Sequence, residues 1–240
     1  MKNKLYNKFK IFEYLTSRGS FKIFFILLIF MAIFGRFQIP VGINIFSSII
    51  SPFSSTIFNY ILQVLFVYNT ITTCKIFNEE FDALFIRYKT KKNKIKIIIE
   101  NIILITTYSL ILFFLIYISL MLITCVSGQY SINPYQISDI IYMIYILLKN
   151  AIIVILFQVI NTLLYFLIKE KLLIITTIYF IPFHMGLLNN IKRFYNFLPW
   201  LHQTLYIWNN MLEDFLSFGI CIICLNIVIY VLYKIYNRRA

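Results

Sequence analysis

Few residues in this 240-residue chain have the types and spacing that chemistry requires. Glu79 and Glu80 are adjacent carboxylates, and far downstream the run Phe180-Ile-Pro-Phe-His184 supplies a histidine. Carboxylates and an imidazole are the groups that hold a metal or activate a water. His202 is the other of the 2 histidines, and neither forms His-Glu-x-x-His nor stands in a dense carboxylate cluster. Both therefore read as boundary histidines near an outer face. Cys221 and Cys224 have the C-x-x-C spacing of a redox pair or half a zinc site. With no second pair and apolar surroundings, they read as small apolar residues on one helix face, like Cys74 and Cys125. No catalytic residue, metal ligand or cofactor of the chain's own follows from these positions.

A phosphate-loop nucleotide site is excluded more firmly. The chain has 6 glycines and none precedes a lysine, so G-x-x-x-x-G-K-[ST] cannot be written. Any ATP-driven role needs a second polypeptide. No G-x-S-x-G elbow, no arginine row of a voltage sensor and no TVGYG filter is present. The apolar stretches also lack the several buried acids of a proton-coupled carrier. Glu100 is the best single candidate, near the inner interface.

The elements that must position these residues are hydrophobic. Of the chain, 61% is hydrophobic and only 13% charged, with a mean hydropathy of +0.83. The usual globular figures are about 45–50% and about 25%. The pattern predicts an all-α polytopic membrane protein, a single transmembrane domain over 1–240. Six spans are expected at about 22–39, 56–76, 97–126, 149–168, 172–189 and 214–233. Residues 1–21 carry Lys2, Lys4, Lys8, Lys10 and Arg18, with Leu5, Phe9, Phe12 and Leu15 at helical spacing, and predict an amphipathic interfacial helix. No A-x-A-like site follows the first apolar run, so it is expected to be retained. A span from Asp139 would place Lys149 deep; starting the fourth span at Lys149 puts it at the outer boundary. Residues 138–148 are then an outer interfacial helix or an extension of the span. Residues 190–213, with Trp200, Trp208 and Pro199, read as an outer hairpin lying in or on the membrane. Asn59, Gln63 and Asn69 in the second span suit helix contacts or a substrate pathway better than lipid.

The net charge of +13 has a definite distribution. All lysines and arginines except Arg36, Lys149, Lys192 and Arg193 fall in alternate gaps, on one side. The positive-inside rule places both termini in the cytoplasm, with the cations facing lipid headgroups and not nucleic acid. Abundant Ile, Asn, Lys, Tyr and Phe suggest an AT-rich bacterial genome, hence a bacterial cytoplasmic membrane.

The segment leading into the third span is the most charged. Residues 78–96, NEEFDALFIRYKTKKNKIK, run from acidic (Glu79, Glu80, Asp82) to basic. A short helix over 78–88 aligns Phe81, Leu84, Phe85 and Tyr88, with Arg87 beside them, in one apolar stripe on a charged element. Such a stripe fits a partner's groove; equally, the segment reads as a solvated loop that only sets orientation.

With these features the chain resembles the membrane subunits of bacterial type-2 ABC exporters, especially small permeases of antimicrobial-peptide (lantibiotic) immunity and export. The resemblance covers the amphipathic start, six spans, the acidic-then-basic first inner loop, and the aromatic, proline-containing NFLPWLHQTLYIW (196–208) before the last span. It implies that 78–96 is similar to a coupling helix docking on a separate ATPase dimer, with Glu79 or Glu80 at the acidic position and ATP-Mg bound on that partner. A second copy or a homologous permease would complete the pathway for a peptide or lipid-like substrate. The chain departs from the family in lacking the glycine after the acidic residue and the proline before the basic run. It also has Glu100 near where lysine is common. Glu79-Glu80 and Phe180–His184 also resemble elements of CAAX-type membrane proteases, but Leu84 stands where that family has arginine, and the topology separates the glutamates from His184. An accessory scaffold protein is the remaining alternative.

Overall fold

The computed structural model describes residues 11–37, 49, 56–79, 91–126, 137–168 and 211–239. Among the described residues the regular structure is entirely helical, with no strand. A helical segment at 11–17 precedes five long helices: α1 (Gly19–Phe37), α2 (Thr56–Glu79), α3 (Lys91–Val126), α4 (Ile137–Ile168) and α5 (Met211–Arg239). Isoleucine-rich runs have only moderate helix propensity in water. In lipid, where a backbone group finds no water, the helix prevails because it pairs every group internally. The breaks fall where sequence chemistry puts them. All five prolines, Pro40, Pro52, Pro134, Pro182 and Pro199, lie outside the five helices. A proline inside would remove a backbone donor and clash with the preceding turn.

Among the described residues, three helical stretches are long and apolar enough to cross a bilayer: Gly19–Phe37, Ile95–Thr124 and Met143–Ile168, with a shorter apolar stretch at Ile222–Tyr236. They are apolar outside. Ile23, Phe30 and Phe37 on α1, Leu115 and Ile123 on α3, Ile141 and Leu148 on α4, and Ile223, Ile227 and Tyr230 on α5 are exposed. Helix α2 differs: among its described side chains only Lys75 and Glu79 are exposed. It is the central helix, packed on α1, α3 and α4, which is why it can carry amides and threonines where a lipid-facing helix could not.

Ring contacts fix the directions. Phe24 meets Phe66 edge-on at 5.5 Å, while Gly35 abuts Phe58, so α1 and α2 are antiparallel. Phe58, near the start of α2, packs on Phe113 in the second half of α3. Tyr145 meets Phe218 and Phe166 meets Tyr236, so α4 and α5 run the same way. Ile95 and Ile99, at the start of α3, share a cluster with Leu163 of α4 and Tyr233 and Tyr236 of α5. The start of α1, the ends of α2, α4 and α5, and the start of α3 thus lie at one end of the bundle. That end collects Arg18, Lys22, Lys75, Lys91, Lys92, Lys94, Lys96, Lys234 and Arg238.

The core between α1, α2 and α3 is aromatic: Phe24, Phe58, Phe66, Phe113 and Tyr117 are all buried. Aromatic pairs contribute about 0.5–1.5 kcal/mol each beyond area burial. Gly35 makes the closest approach. A Cβ there would lie 2.8 Å from Phe58 Cε2 and 3.3 Å from Tyr117 Cε2. Small residues at membrane helix contacts serve this purpose, since lipid supplies no hydrophobic drive and close packing must replace it.

The boundaries differ from the sequence expectations in ways that have causes. Helix α3 begins at Lys91, not 97, and α2 runs to Glu79, because a helix continues past its apolar stretch wherever water solvates its side chains. The interfacial segment gives way at Arg18, with Phe21 and Lys22 amides bonding to the Arg18 carbonyl, so Lys22 belongs to α1. Phe12 meets Tyr108 of α3 edge-on at 5.3 Å and Leu15 is buried, so this segment is seated on the bundle. Helix α4 is one element from Ile137 to Ile168; residues 138–148 are the extension of the fourth span. Lys149 is therefore not at a helix boundary. It is 2% exposed, its ammonium 5.9 Å from the centre of the Tyr145 ring. Burial against protein, with a ring face toward the ammonium, is one means of accommodating it. The fifth expected span, 172–189, lies outside the described residues, as does the 190–213 hairpin up to 210; residues 211–213 open α5.

Candidate functional site

The bundle exposes apolar side chains along its helices, and among the described residues it also buries eleven polar ones. Gln63, Asn69, Thr70 and Thr73 come from α2, Asn101, Thr106 and Ser109 from α3, and Gln158, Asn161 and Thr162 from α4, with Lys149 apart from them. Helical spacing puts several of them on shared faces. Gln63 and Thr70 are seven apart, Gln158 and Asn161 three, and Gln158 and Thr162 four, each within about 60° of whole turns of the 3.6-residue repeat. Lys149 lies eleven residues before Ile160 and four before Ile153, on the α4 face that packs against Phe218 and Leu225 of α5. It belongs to another side of α4.

Gln158 is the centre of the seam. Its side chain is fully buried. Thr70 Oγ1 donates to Gln158 Oε1 at 2.7 Å, linking α2 to α4. Asn161 Nδ2 donates to the same oxygen at 3.4 Å. Thr162 Oγ1 donates to the Gln158 backbone carbonyl at 2.7 Å. The doubly accepting oxygen is satisfied, but Gln158 Nε2 meets no hydrogen-bond partner among the described residues. The same holds for Gln63 Oε1, Ser109 Oγ and Asn101 Oδ1, although Asn101 Nδ2 donates to the Ile97 carbonyl at 2.8 Å. A buried polar group left unmatched costs about 1–3 kcal/mol. Four such atoms in the interior of α2, α3 and α4 make this packing less favourable than an all-apolar one would be. Among the described residues these unmatched atoms are an amide donor, two amide acceptors and a hydroxyl, none of them charged. Its chemistry is that of neutral hydrogen bonding.

Of the expected pathway residues, Gln63 and Asn69 are buried in the bundle. Asn59 lies on α2 one turn before Gln63, with its side chain outside the described residues. Of the expected ATPase-coupling residues, Glu79 is the exposed last residue of α2, its carboxylate 3.9 Å from the Lys75 ammonium one turn back. Glu80, Phe81, Asp82, Leu84, Phe85, Arg87 and Tyr88 lie outside the described residues, as does His184. Sequence reasoning missed Thr70, Asn101, Ser109, Gln158 and Asn161. A usable signal existed: Gln158, Asn161 and Thr162 stand at i, i+3 and i+4 inside an otherwise apolar run. Cys74 is a buried free thiol and Cys224 an exposed one; no group of three or more metal-ligating side chains occurs among the described residues. Comparison with protein-family models, with curated proteins and with solved structures gives no match.

Proposed function

We propose that the chain is the membrane-embedded permease subunit of an ATP-driven exporter, energised by a separate ATPase. In this reading six spans cross a bacterial cytoplasmic membrane with both termini inside. Residues 78–96 dock on the ATPase dimer, through Glu79, Glu80 and the Phe81, Leu84, Phe85 and Tyr88 stripe. A second permease half completes the pathway. The substrate is a peptide or an amphipathic, lipid-like molecule.

The observation that carries the reading is the gathering of helix ends. The end of α2 and the start of α3 frame the acidic-then-basic segment, at the same end of the bundle as the start of α1 and the end of α5. Charge concentrates there, with the apolar faces exposed along the helices. Such asymmetry is what the positive-inside rule associates with a cytoplasmic face. The parallel course of α4 and α5 supports the even number of crossings, since a chain leaving one end of α4 must regain the other end to begin α5. The resemblance to type-2 permeases, together with the impossibility of a phosphate loop in this sequence, supports the division of labour between two polypeptides.

The test is biochemical. The purified chain is expected to hydrolyse no ATP alone and to co-purify, after mild detergent extraction from its own cells, with an ATP-binding protein. Vesicles containing the chain alone that transport as fast as those with the partner present would refute the assignment.

A further inference from the structure

We propose that the seam between α2, α3 and α4 is a water-accessible passage. In a second conformation it hydrates from the basic end of the bundle inward and admits neutral, hydrogen-bonding groups such as amides. The proposal rests on the permease reading for its purpose, but not for its test.

Three observations point this way. First, the unmatched atoms find no partner among the described residues: Gln158 Nε2, Asn101 Oδ1, Ser109 Oγ and Gln63 Oε1 are all buried there without one. In a helix bundle built only to be held together, such positions are filled by apolar or mutually bonded groups. Second, they are graded in depth. Thr70, Thr73, Asn101, Gln158 and Asn161 lie toward the basic end, where the start of α3 meets the end of α4. Gln63 and Ser109 lie deeper, two turns further along α2 and α3. From Thr73 to Gln63 the seam extends about 15 Å along the axis, half of a hydrocarbon core of about 30 Å. Beyond Gln63 and Ser109 the interior closes with Phe58, Phe113 and Tyr117 stacked against Gly35. Third, among the described residues no charged side chain is buried with these polar ones on the same face; Lys149, the one buried cation there, occupies another face of α4. A passage of this make-up favours uncharged polar groups over ions. The Thr70–Gln158 hydrogen bond joins α2 to α4 across the seam, and parting these helices would expose the unmatched atoms to water.

The experiment is thiol accessibility in native membranes. In a background with Cys74, Cys125, Cys221 and Cys224 replaced by alanine, Thr70→Cys and Ser109→Cys are compared with Leu110→Cys and Phe113→Cys, which are as deeply buried. The probes are the neutral 2-hydroxyethyl methanethiosulfonate and the anionic sulfonatoethyl reagent. The expected result is reaction of the seam thiols with the neutral probe at least about tenfold faster than the controls, and faster than with the anionic probe. In inverted vesicles the anionic probe, which does not cross lipid, should still reach Thr70→Cys before Ser109→Cys. Adding Gln158→Leu should slow labelling at Ser109→Cys several-fold while raising the melting temperature. Equal rates at seam and control positions would overturn the proposal, as would anionic labelling from the outer side only. Labelling requires no ATPase. Fast seam labelling without a co-purifying ATP-binding protein would uphold the passage and overturn the permease assignment; co-purification with an inert seam would do the reverse.

Discussion

Gly35 and Thr70 show how single side chains hold this bundle in different ways. Gly35 acts by absence: the Phe58 ring fills the space a methyl group would take, and Phe58 is itself fully buried with Phe113 beside it. Gly35→Ala should therefore overpack the contact and cost about 1–3 kcal/mol. Thermal unfolding in detergent checks this, and a companion Phe58→Leu should recover part of the loss. An unchanged melting temperature would mean that the rings swing aside freely. Thr70 acts by presence. Thr70→Val keeps the shape and removes the donor to Gln158 Oε1, an interaction that averages about 0.6 kcal/mol between membrane helices. Because Asn161 still reaches that oxygen, the expected loss is small, below about 1.5 kcal/mol. A loss several times larger would show that the α2–α4 contact depends on this one bond.

At the scale of elements, α4 is the test case. It passes unbroken through Lys149, and it packs on α2, α3 and α5. Leu148→Pro should thus break a continuous helix and cost about 3 kcal/mol or more, read as loss of folded protein or a large fall in melting temperature. If residues 137–148 were a separate surface helix, that proline would be tolerated at its junction. The sequence made the helices legible because prolines fall between them and apolar runs mark their bodies. It left the extents of α3 and α4 open because hydropathy reports where lipid is, not where backbone hydrogen bonding stops. Lys91 to Lys96 are helical yet charged, and Lys149 is buried yet cationic; each defeats a rule built on composition alone. The seam was half legible for the same reason. Gln63 and Asn69 were conspicuous as amides in a span, but which of Asn101, Ser109 and Gln158 they face depends on how the helices rotate against one another. Only packing decides that, and for α2 against α4 the Thr70–Gln158 bond reports it.

For the whole molecule the sidedness of charge makes the sharpest prediction. Impermeant amine or thiol reagents should modify the Lys91–Lys94 region only from the cytoplasmic side, together with the segments flanking the start of α1 and the end of α5. Modification from outside the cell would invert the topology and remove the permease reading with it. On the same reading, Glu79→Lys combined with Glu80→Lys should abolish transport and weaken retention of the ATP-binding partner several-fold in pull-down assays. The folded fraction should remain unchanged, because Glu79 is exposed and its pairing with Lys75 is a surface contact worth little. Helix α3 adds a mechanical consequence. Its 36 residues form one uninterrupted rod, about 54 Å long, from the charged rim to the opposite end of the bundle. A rod without a joint cannot absorb a push locally. Tilting it by about 5° about its lower tip swings the far tip by about 5 Å, roughly the pitch of one helical turn. Force applied at Lys91 would thus reach Val126 undiminished, as along the arm of a lever.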